Sequence, residues 1–185
     1  MSEGWEIAVS AIPEPTARQA GVVDFWLRDS AQGFSVQASC GVEAACSQST
    51  LSATRQAAHP HCLLCGADNV QGLALDFQVQ PDGSVRAVFA GGDRYEGYPD
   101  TLHGGLIAAL LDSAMTNCLF ARGIVAVTAR LNVCYVQPAR LGLPMEVVAT
   151  VERSRRSLHY LAAEVCQDGN VVASAFGAFA DRQAR

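Results

Sequence analysis

Residues 103–121 are the feature that most constrains the fold of this chain. The run opens with His-Gly-Gly and continues as an apolar stretch long enough for about five helical turns. Its apolar side chains point nearly all the way round, which is typical of a helix buried on most sides. Gly123 is expected to end it. Asp112 lies in its middle, and a carboxylate inside an apolar helix is costly unless it is hydrogen-bonded or functional.

Strand patterns flank this helix. Two alternating segments, residues 73–79 and 85–89, surround a Pro-Asp-Gly turn and predict a hairpin. Four more follow the helix, at residues 124–137, 145–153, 158–167 and 171–180. The short connections favour an antiparallel sheet, which can cover such a helix only by curling round it. We therefore predict an α+β fold with a long central helix wrapped by about six antiparallel strands, whose exposed edge favours dimerisation.

The first 58 residues differ from the rest. They contain a Ser/Gln/Ala/Thr-rich stretch and one segment able to bury itself, Val22–Leu27. We predict an N-terminal extension over residues 1–58, either flexible or forming a short capping helix, and one main domain over residues 59–185.

Composition excludes several functions. The net charge of −5 gives no reason to expect nucleic acid as a partner, and no apolar run reaches the roughly 18 residues of a spanning helix. None of the 13 basic residues is Lys, which excludes Schiff-base chemistry. The seven Cys are odd in number and irregularly spaced, and the first residues do not resemble a signal peptide. We expect free thiols and a cytoplasmic protein.

A His- and Cys-containing segment precedes the first hairpin. His59, His61, Cys62 and Cys65 have the ligand types of a zinc site. A lone C-x-x-C is a weak signal, however, because no second ligand pair follows it in the sequence. We expect no metal and a tight turn with buried thiols, although metal binding stays open.

The start of the helix can bind negative charge. Gly104 and Gly105 let a ligand approach the unpaired N–H groups there, which suits an anion or a developing oxyanion. The alternative is that the glycines only permit close packing. His103 could be a general acid or base, or could orient the loop. Asp112 could be a general base or nucleophile, made more basic by apolar surroundings, or a buried carboxylate satisfied by nearby hydroxyls.

Spacing separates two of these groups. Asp112 comes nine residues after His103, which places them on opposite sides of a helix and about 13 Å apart along it. They cannot act as a pair within one chain. If both act on one substrate, they must come from two chains that meet at a symmetric interface.

Three segments resemble the hot-dog-fold acyl-CoA thioesterases, particularly the phenylacetate-degradation type. They are residues 101–112, 128–138 and 62–73, and the resemblance covers about residues 60–182. It implies hydrolysis of an acyl-CoA to free acid and CoA, with the N–H of Gly104 polarising the carbonyl and His103 setting the turn. Asp112 of the other subunit would activate water or attack directly, and Thr128 would orient the water or the carboxylate.

The same resemblance implies the remaining contacts. Gly105 would line the substrate site, and Arg155 and Arg156 would contact the CoA phosphates. No cofactor is expected, since CoA is part of the substrate, and the chain should form a homodimer or a dimer of dimers. The sequence departs from the family near Gly97, where relatives often carry Asn or Gln.

Two other functions stay open. One is a hot-dog hydratase or dehydratase acting on enoyl or hydroxyacyl thioesters, although that chemistry needs an Asp and a His close together. The other is a non-catalytic acyl-CoA-binding protein. The sequence does not specify the acyl group.

Overall fold

A six-stranded antiparallel sheet packs around one long helix. The computed structural model describes residues 46–182. The helices are α1 (Gln48–Ala58) and α2 (Gly104–Phe120). The strands are β1 (Gln78–Val79), β2 (Val85–Ala90), β3 (Glu96–Tyr98), β4 (Thr101–Leu102), β5 (Ala126–Tyr135), β6 (Pro144–Arg155), β7 (Leu158–Gln167) and β8 (Asn170–Asp181). The sheet order is β1-β2-β6-β7-β8-β5, while β3 and β4 form a separate pair. The predicted α+β fold and the number of main-sheet strands are confirmed.

Helix α2 is the centre of the core. Leu110, Leu111 and Ala114 are fully buried, and each leucine contributes about 1.5–3 kcal/mol through burial. Met115 is also fully buried. It packs where Gly177 of β8 leaves room: a Cβ at that glycine would lie 2.7 Å from the Met115 sulfur. The missing side chain lets the helix lie close to the sheet.

Helix α1 supports the start of the sheet. Its first turn is capped by the Ser47 hydroxyl, which accepts from the Thr50 N–H at 3.1 Å, and Leu51 is fully buried. The Gln48 side chain donates to the Phe77 carbonyl and accepts from the Val79 N–H, at 3.0 and 2.8 Å. Strand β1 is shorter than the predicted segment 73–79, because the N–H groups of Leu73 and Leu75 donate to carbonyls of the preceding loop.

The structure describes only the last part of the predicted N-terminal extension, from residue 46 onward. Helix α1 lies in the last part of the segment that we assigned to the extension. The segment Val22–Leu27 lies outside the described residues, so the division at residue 58 stays a prediction.

Strand β5 is an open edge of the main sheet. It pairs with β8 on one side only, and most of its side chains are exposed. Val127 near its start, Tyr135 at its end and the following Val136 are 54%, 52% and 60% exposed, which is a large exposure for apolar side chains along one sheet edge. Such an edge offers unpaired backbone groups to another strand.

The chain between β2 and α2 contains regular structure. A 3-10 turn at Asp93–Tyr95 leads into the β3–β4 pair, and the His103 N–H then donates to the Tyr95 carbonyl at 2.9 Å. This brings the chain to the start of α2 in a fixed direction. Within the described range, no helix combines the length and apolarity needed to cross a membrane.

Candidate active site

His103 caps α2. Its backbone is extended, and its Nδ1 accepts the N–H of Gly105 at 2.9 Å. A ring nitrogen that accepts from an amide is unprotonated, so in the neutral imidazole the proton is on Nε2. The imidazole therefore presents an N–H donor on its other side. The hydrogen bond to Gly105 thus sets the direction of this donor.

The two glycines have different roles. The N–H of Gly105 is already used by His103, so Gly105 is not the second free donor that the sequence suggested. The N–H of Gly104 has no backbone acceptor within residues 46–182, as expected for the first residue of a helix. The carbonyl of Gly104 accepts a hydrogen bond from the Tyr135 hydroxyl at 2.8 Å. The N–H of Gly104 is thus the donor at the helix start, and Tyr135 holds the neighbouring peptide between Gly104 and Gly105.

Asp112 and Thr128 form a second group. Asp112 is half-buried rather than enclosed, and its Oδ1 accepts a hydrogen bond from the Thr128 hydroxyl at 2.6 Å. This contact joins the middle of α2 to the start of strand β5, sixteen residues later. Because Oδ1 is engaged by Thr128, Oδ2 is the oxygen available to a water or a substrate.

The structure does not bring these two groups together within one chain. His103 and Gly104 lie at the start of α2, while Asp112 lies about two and a half turns further along. Strand β5 joins them: Thr128 is near its beginning and Tyr135 at its end, about 23 Å away in an extended strand. Each chain therefore holds two separate half-sites at the two ends of its open edge.

A pocket of about 300 Å³ opens beside His103. Its lining residues come from the segment before the first hairpin, the β2–β3 connection and the helix start: Leu63, Leu73, Arg94, Tyr95, Glu96, His103 and Leu106. The Arg94 guanidinium lies 4.6 Å from the centre of the Tyr95 ring, a cation–π contact that holds both side chains. Sequence reasoning missed this wall because it is assembled from three distant segments.

Gly97 packs directly against His103. A Cβ at Gly97 would lie 2.9 Å from the His103 Cα and 3.4 Å from its ring Cδ2. The space that a side chain at position 97 would need is therefore taken by His103. Glycine is a packing requirement at this site.

Arg155 and Arg156 lie at the Thr128 end of the sheet. Thr128 pairs with Phe179, Phe179 with His159, and His159 with Ser154, so the β6–β7 turn is three strands, about 14 Å, from β5. Both arginines are exposed.

Buried His159 fixes that turn. Its two ring nitrogens hydrogen-bond to Ser154 Oγ and Asp181 Oδ1, each at 2.8 Å. Because these contacts tie the end of β6 to β7 and β8, they hold the adjacent turn in place. The sequence analysis did not identify this network, since Asp181 lies 22 residues from His159 in the chain.

A separate cluster contains His59, Cys62 and Cys65. One ligand atom from each lies within 4.8 Å of the others, whereas His61 is exposed and is not part of the cluster. Burial lowers the pKa of His59, and the charge of Asp112 opposes this effect. Burial raises the pKa of the Cys65 thiol, and a hydrogen bond from Asn117 opposes it.

Comparison with known proteins finds a similarity to thioesterases. A sequence profile described as the thioesterase superfamily matches residues 100–174, which contain His103, Gly104, Asp112 and Thr128. Human acyl-coenzyme A thioesterase 13 is 34% identical over 67 residues, covering 35% of this chain and 48% of that protein. The match over residues 100–174, together with the fold described above, supports the hot-dog thioesterase superfamily.

Solved structures show the same fold. The PaaI protein from the phenylacetic acid degradation operon of E. coli superimposes with a TM-score of 0.56 at 17% identity, over 70% of this chain and 88% of that one. A Streptococcus mutans UA159 protein bound to acetyl CoA gives 0.55 at 21% identity, over 60% and 90%. The chain spans only about a third to a half of the length of the curated relatives it matches.

Proposed function

We propose that the chain hydrolyses an acyl-CoA thioester to free acid and CoA, at a site formed by two copies of the chain. The Asp112–Thr128 hydrogen bond carries the proposal, because it holds a carboxylate at the open edge with one oxygen available. The thioesterase-superfamily match and the acetyl CoA complex of the Streptococcus mutans protein support this substrate class.

The helix start would bind the thioester carbonyl. The N–H of Gly104 and the positive end of α2 stabilise negative charge that develops on the carbonyl oxygen during attack. The Nε2–H of His103 is a second donor, and its direction is fixed by the Gly105 N–H at Nδ1. The Tyr135 hydroxyl holds the next peptide, between Gly104 and Gly105, and so stabilises the first turn of α2, on which the donor lies.

Asp112 would activate water as a general base. Its Oδ2 takes a proton from the water, whose oxygen bonds to the carbonyl carbon and forms a tetrahedral oxyanion. That intermediate collapses by breaking the carbon–sulfur bond, and the CoA thiolate is protonated as it leaves. Direct attack by Asp112 is the alternative. A single turnover in H₂¹⁸O tests for direct attack, since ¹⁸O enters Asp112 only when water cleaves the mixed anhydride formed by that attack at the Asp112 carbonyl.

Strand β5 indicates how two chains would complete the site. If two copies of β5 pair antiparallel about a two-fold axis near Leu131 and Asn132, Thr128 of one chain lies opposite Tyr135 of the other. The Asp112 half-site of one chain then lies beside the Gly104 half-site of its partner. Pairing would also cover the exposed apolar side chains of Val127, Tyr135 and Val136.

The turn with Arg155 and Arg156 would bind CoA phosphates. Neither side chain makes an ion pair within residues 46–182, so both charges are open to an anionic group. The turn lies at the sheet end where Asp112 would act, and about 14 Å of sheet separates it from β5. This separation suits a substrate whose charged nucleotide is joined to the thioester by an extended arm.

Mixed dimers test the shared site. The Asp112→Asn and Gly104→Val variants should each lose thiol release from a panel of acyl-CoAs, whereas co-expressed and separately tagged copies should recover part of it. A mixture of two Asp112→Asn chains is the control and should recover none. Absence of recovery in a verified heterodimer would contradict the shared site. Hydration of crotonyl-CoA without thiol release would point to a hydratase, and binding without turnover to a non-catalytic protein.

The strand pairing has its own test. Asn132→Glu would bring like charges together near the two-fold axis and should shift the dimer toward monomer in sedimentation. Asn170→Glu, an identical change in the exposed β7–β8 turn, should leave the mass unchanged. A dimer that tolerates both substitutions equally would exclude β5 as the interface.

A further inference from the structure

The cluster of His59, Cys62 and Cys65 has the arrangement of a metal site. Its ligand atoms lie within 4.8 Å of one another before any ion has drawn them together. In a tetrahedral zinc site with Zn–S near 2.3 Å and Zn–N near 2.0 Å, the ligand atoms are roughly 3.5–3.8 Å apart. A small rotation of the side chains would close this difference.

The backbone of residues 59–66 forms a tight turn that keeps the three ligand residues close together. His59 follows the last residue of α1, and its carbonyl accepts the N–H of Cys62 at 3.2 Å. Gly66 closes the turn by donating to the Cys62 carbonyl at 3.0 Å, and a Cβ at Gly66 would lie 2.3 Å from the Cys62 nitrogen. Only glycine fits there. The turn therefore holds both cysteines on one side of the loop.

Hydrogen-bond donors point at both sulfur atoms. The N–H of Leu64 donates to Cys62 Sγ at 3.4 Å, and the Asn117 amide of α2 donates to Cys65 Sγ at 3.5 Å. Such contacts stabilise metal-bound thiolates, whose negative charge strengthens the hydrogen bonds. Cys118, which is equally buried in α2, belongs to no such cluster among the described residues.

Two buried polar atoms beside the cluster lack protein partners. They are Nδ1 of His59 and Oδ1 of Asn117, neither of which has a hydrogen bond within the described part of the chain. Buried polar atoms of this kind are costly and are normally satisfied. A metal ion bound by the imidazole, with a water as its fourth ligand donating to the Asn117 oxygen, accounts for both.

We infer that this cluster binds one Zn²⁺ through a ring nitrogen of His59 and the thiolates of Cys62 and Cys65, with water in the fourth position. Two thiolates and one imidazole form a tetrahedral donor set that suits zinc. The two thiols release their protons on binding. The inference departs from the sequence-based expectation of no metal, because the structure places one ligand atom each of His59, Cys62 and Cys65 within 4.8 Å of one another.

The ion would hold one wall of the pocket beside His103. Leu63 lies between the two cysteines and lines that pocket. The carbonyls of Leu63 and Leu64 accept the N–H groups of Leu73 and Leu75, both at 2.8 Å, so the metal loop also positions the chain that enters β1. The role is structural, and it does not depend on the reaction proposed above.

Metal content of the full-length protein tests the inference. Purified protein should contain about one zinc per chain after extensive dialysis, measured by plasma mass spectrometry. Cys62→Ser and His59→Ala should each lower this content by at least about tenfold, since even loss of an outer hydrogen bond weakens metal sites by that factor. His61→Ala, in the same loop but exposed, is the matched control and should retain the metal.

Two further measurements do not depend on the folding of a variant. Chelator-treated wild-type protein titrated with Co²⁺ should develop a thiolate-to-cobalt charge-transfer band that saturates at one equivalent. Its peptides covering residues 59–75 should exchange amide hydrogens faster than in the zinc-loaded protein. Wild-type protein without metal or the cobalt band, a Cys62–Cys65 disulfide in freshly purified protein, or equal metal loss in His61→Ala would each overturn the inference. An equimolar metal other than zinc would overturn the choice of ion.

Discussion

Replacing Thr128 with valine tests the Asp112 half-site most directly. Valine has nearly the same shape, so the substitution removes the hydroxyl that donates to Asp112 Oδ1 at 2.6 Å and little else. A hydrogen bond to a charged group contributes about 1.5–3 kcal/mol, and partial exposure of this pair favours the lower half of that range. About 1.5–2 kcal/mol corresponds to a fall of roughly 10- to 30-fold in kcat.

The matched control is Thr128→Ser, which keeps the hydroxyl. It should retain kcat within about threefold, because the donor remains while one methyl group is lost. Loss of thioester absorbance in the ultraviolet is the appropriate assay, since thiol reagents would also react with the protein's own cysteines. KM should change little in either variant, because the hydroxyl orients the base rather than the substrate. Equal kcat for the valine and serine variants, with dimers intact by sedimentation, would refute the role of Thr128.

Three further predictions concern the helix start and the sheet. Tyr135→Phe removes the hydrogen bond to the Gly104 carbonyl, contributing about 0.5–1.5 kcal/mol, and should lower kcat/KM roughly 2- to 10-fold in the same assay. Gly97→Ala forces a Cβ to within 2.9 Å of the His103 Cα and should cost about 1–3 kcal/mol in urea unfolding, whereas Gly92→Ala, with open space around it, should cost far less. Equal costs would contradict the packing account of Gly97. Burial raises the pKa of Glu164, so ionisation of this carboxyl group lowers the stability of the fold as pH rises through its unfolded and then its folded pKa. Glu164→Gln should therefore raise Tm at pH 7, and the difference from wild type should disappear near pH 4. A difference that stays constant with pH would exclude titration of Glu164 as its cause.

The fold was predictable because its pattern is strong at each element. The helix limits followed from an apolar run bounded by His103 and Gly123, and the structure places Gly123 at a φ of 71°, where glycine is favoured. The strand β7 has the limits that alternation predicted. The first strand was predicted too long, because the N–H groups of Leu73 and Leu75 pair with the carbonyls of Leu63 and Leu64 in the preceding loop. No local pattern reveals such a contact.

Site residues were predictable only where chemistry and spacing coincide along the chain. Gly104 and Asp112 stood out as unusual residues in an apolar helix, and the structure gives both a defined environment. Tyr135 had no distinguishing signal, since an aromatic residue near the end of a strand is usually a packing residue. Its hydroxyl reaches Gly104 only because β5 runs past the start of α2.

Strand β5 explains why the half-sites cannot be separated from assembly. It hydrogen-bonds Asp112 through Thr128 and Gly104 through Tyr135, so one edge strand positions both the proposed base and the carbonyl-binding donor. The distance along that strand is too long for one substrate carbonyl to contact both in one chain. Antiparallel pairing of two such strands reverses their ends, which brings unlike half-sites together twice per dimer. Under the proposed function, dimerisation is therefore the step that assembles the catalytic groups, and a monomeric variant with an intact fold should bind acyl-CoA weakly and hydrolyse none.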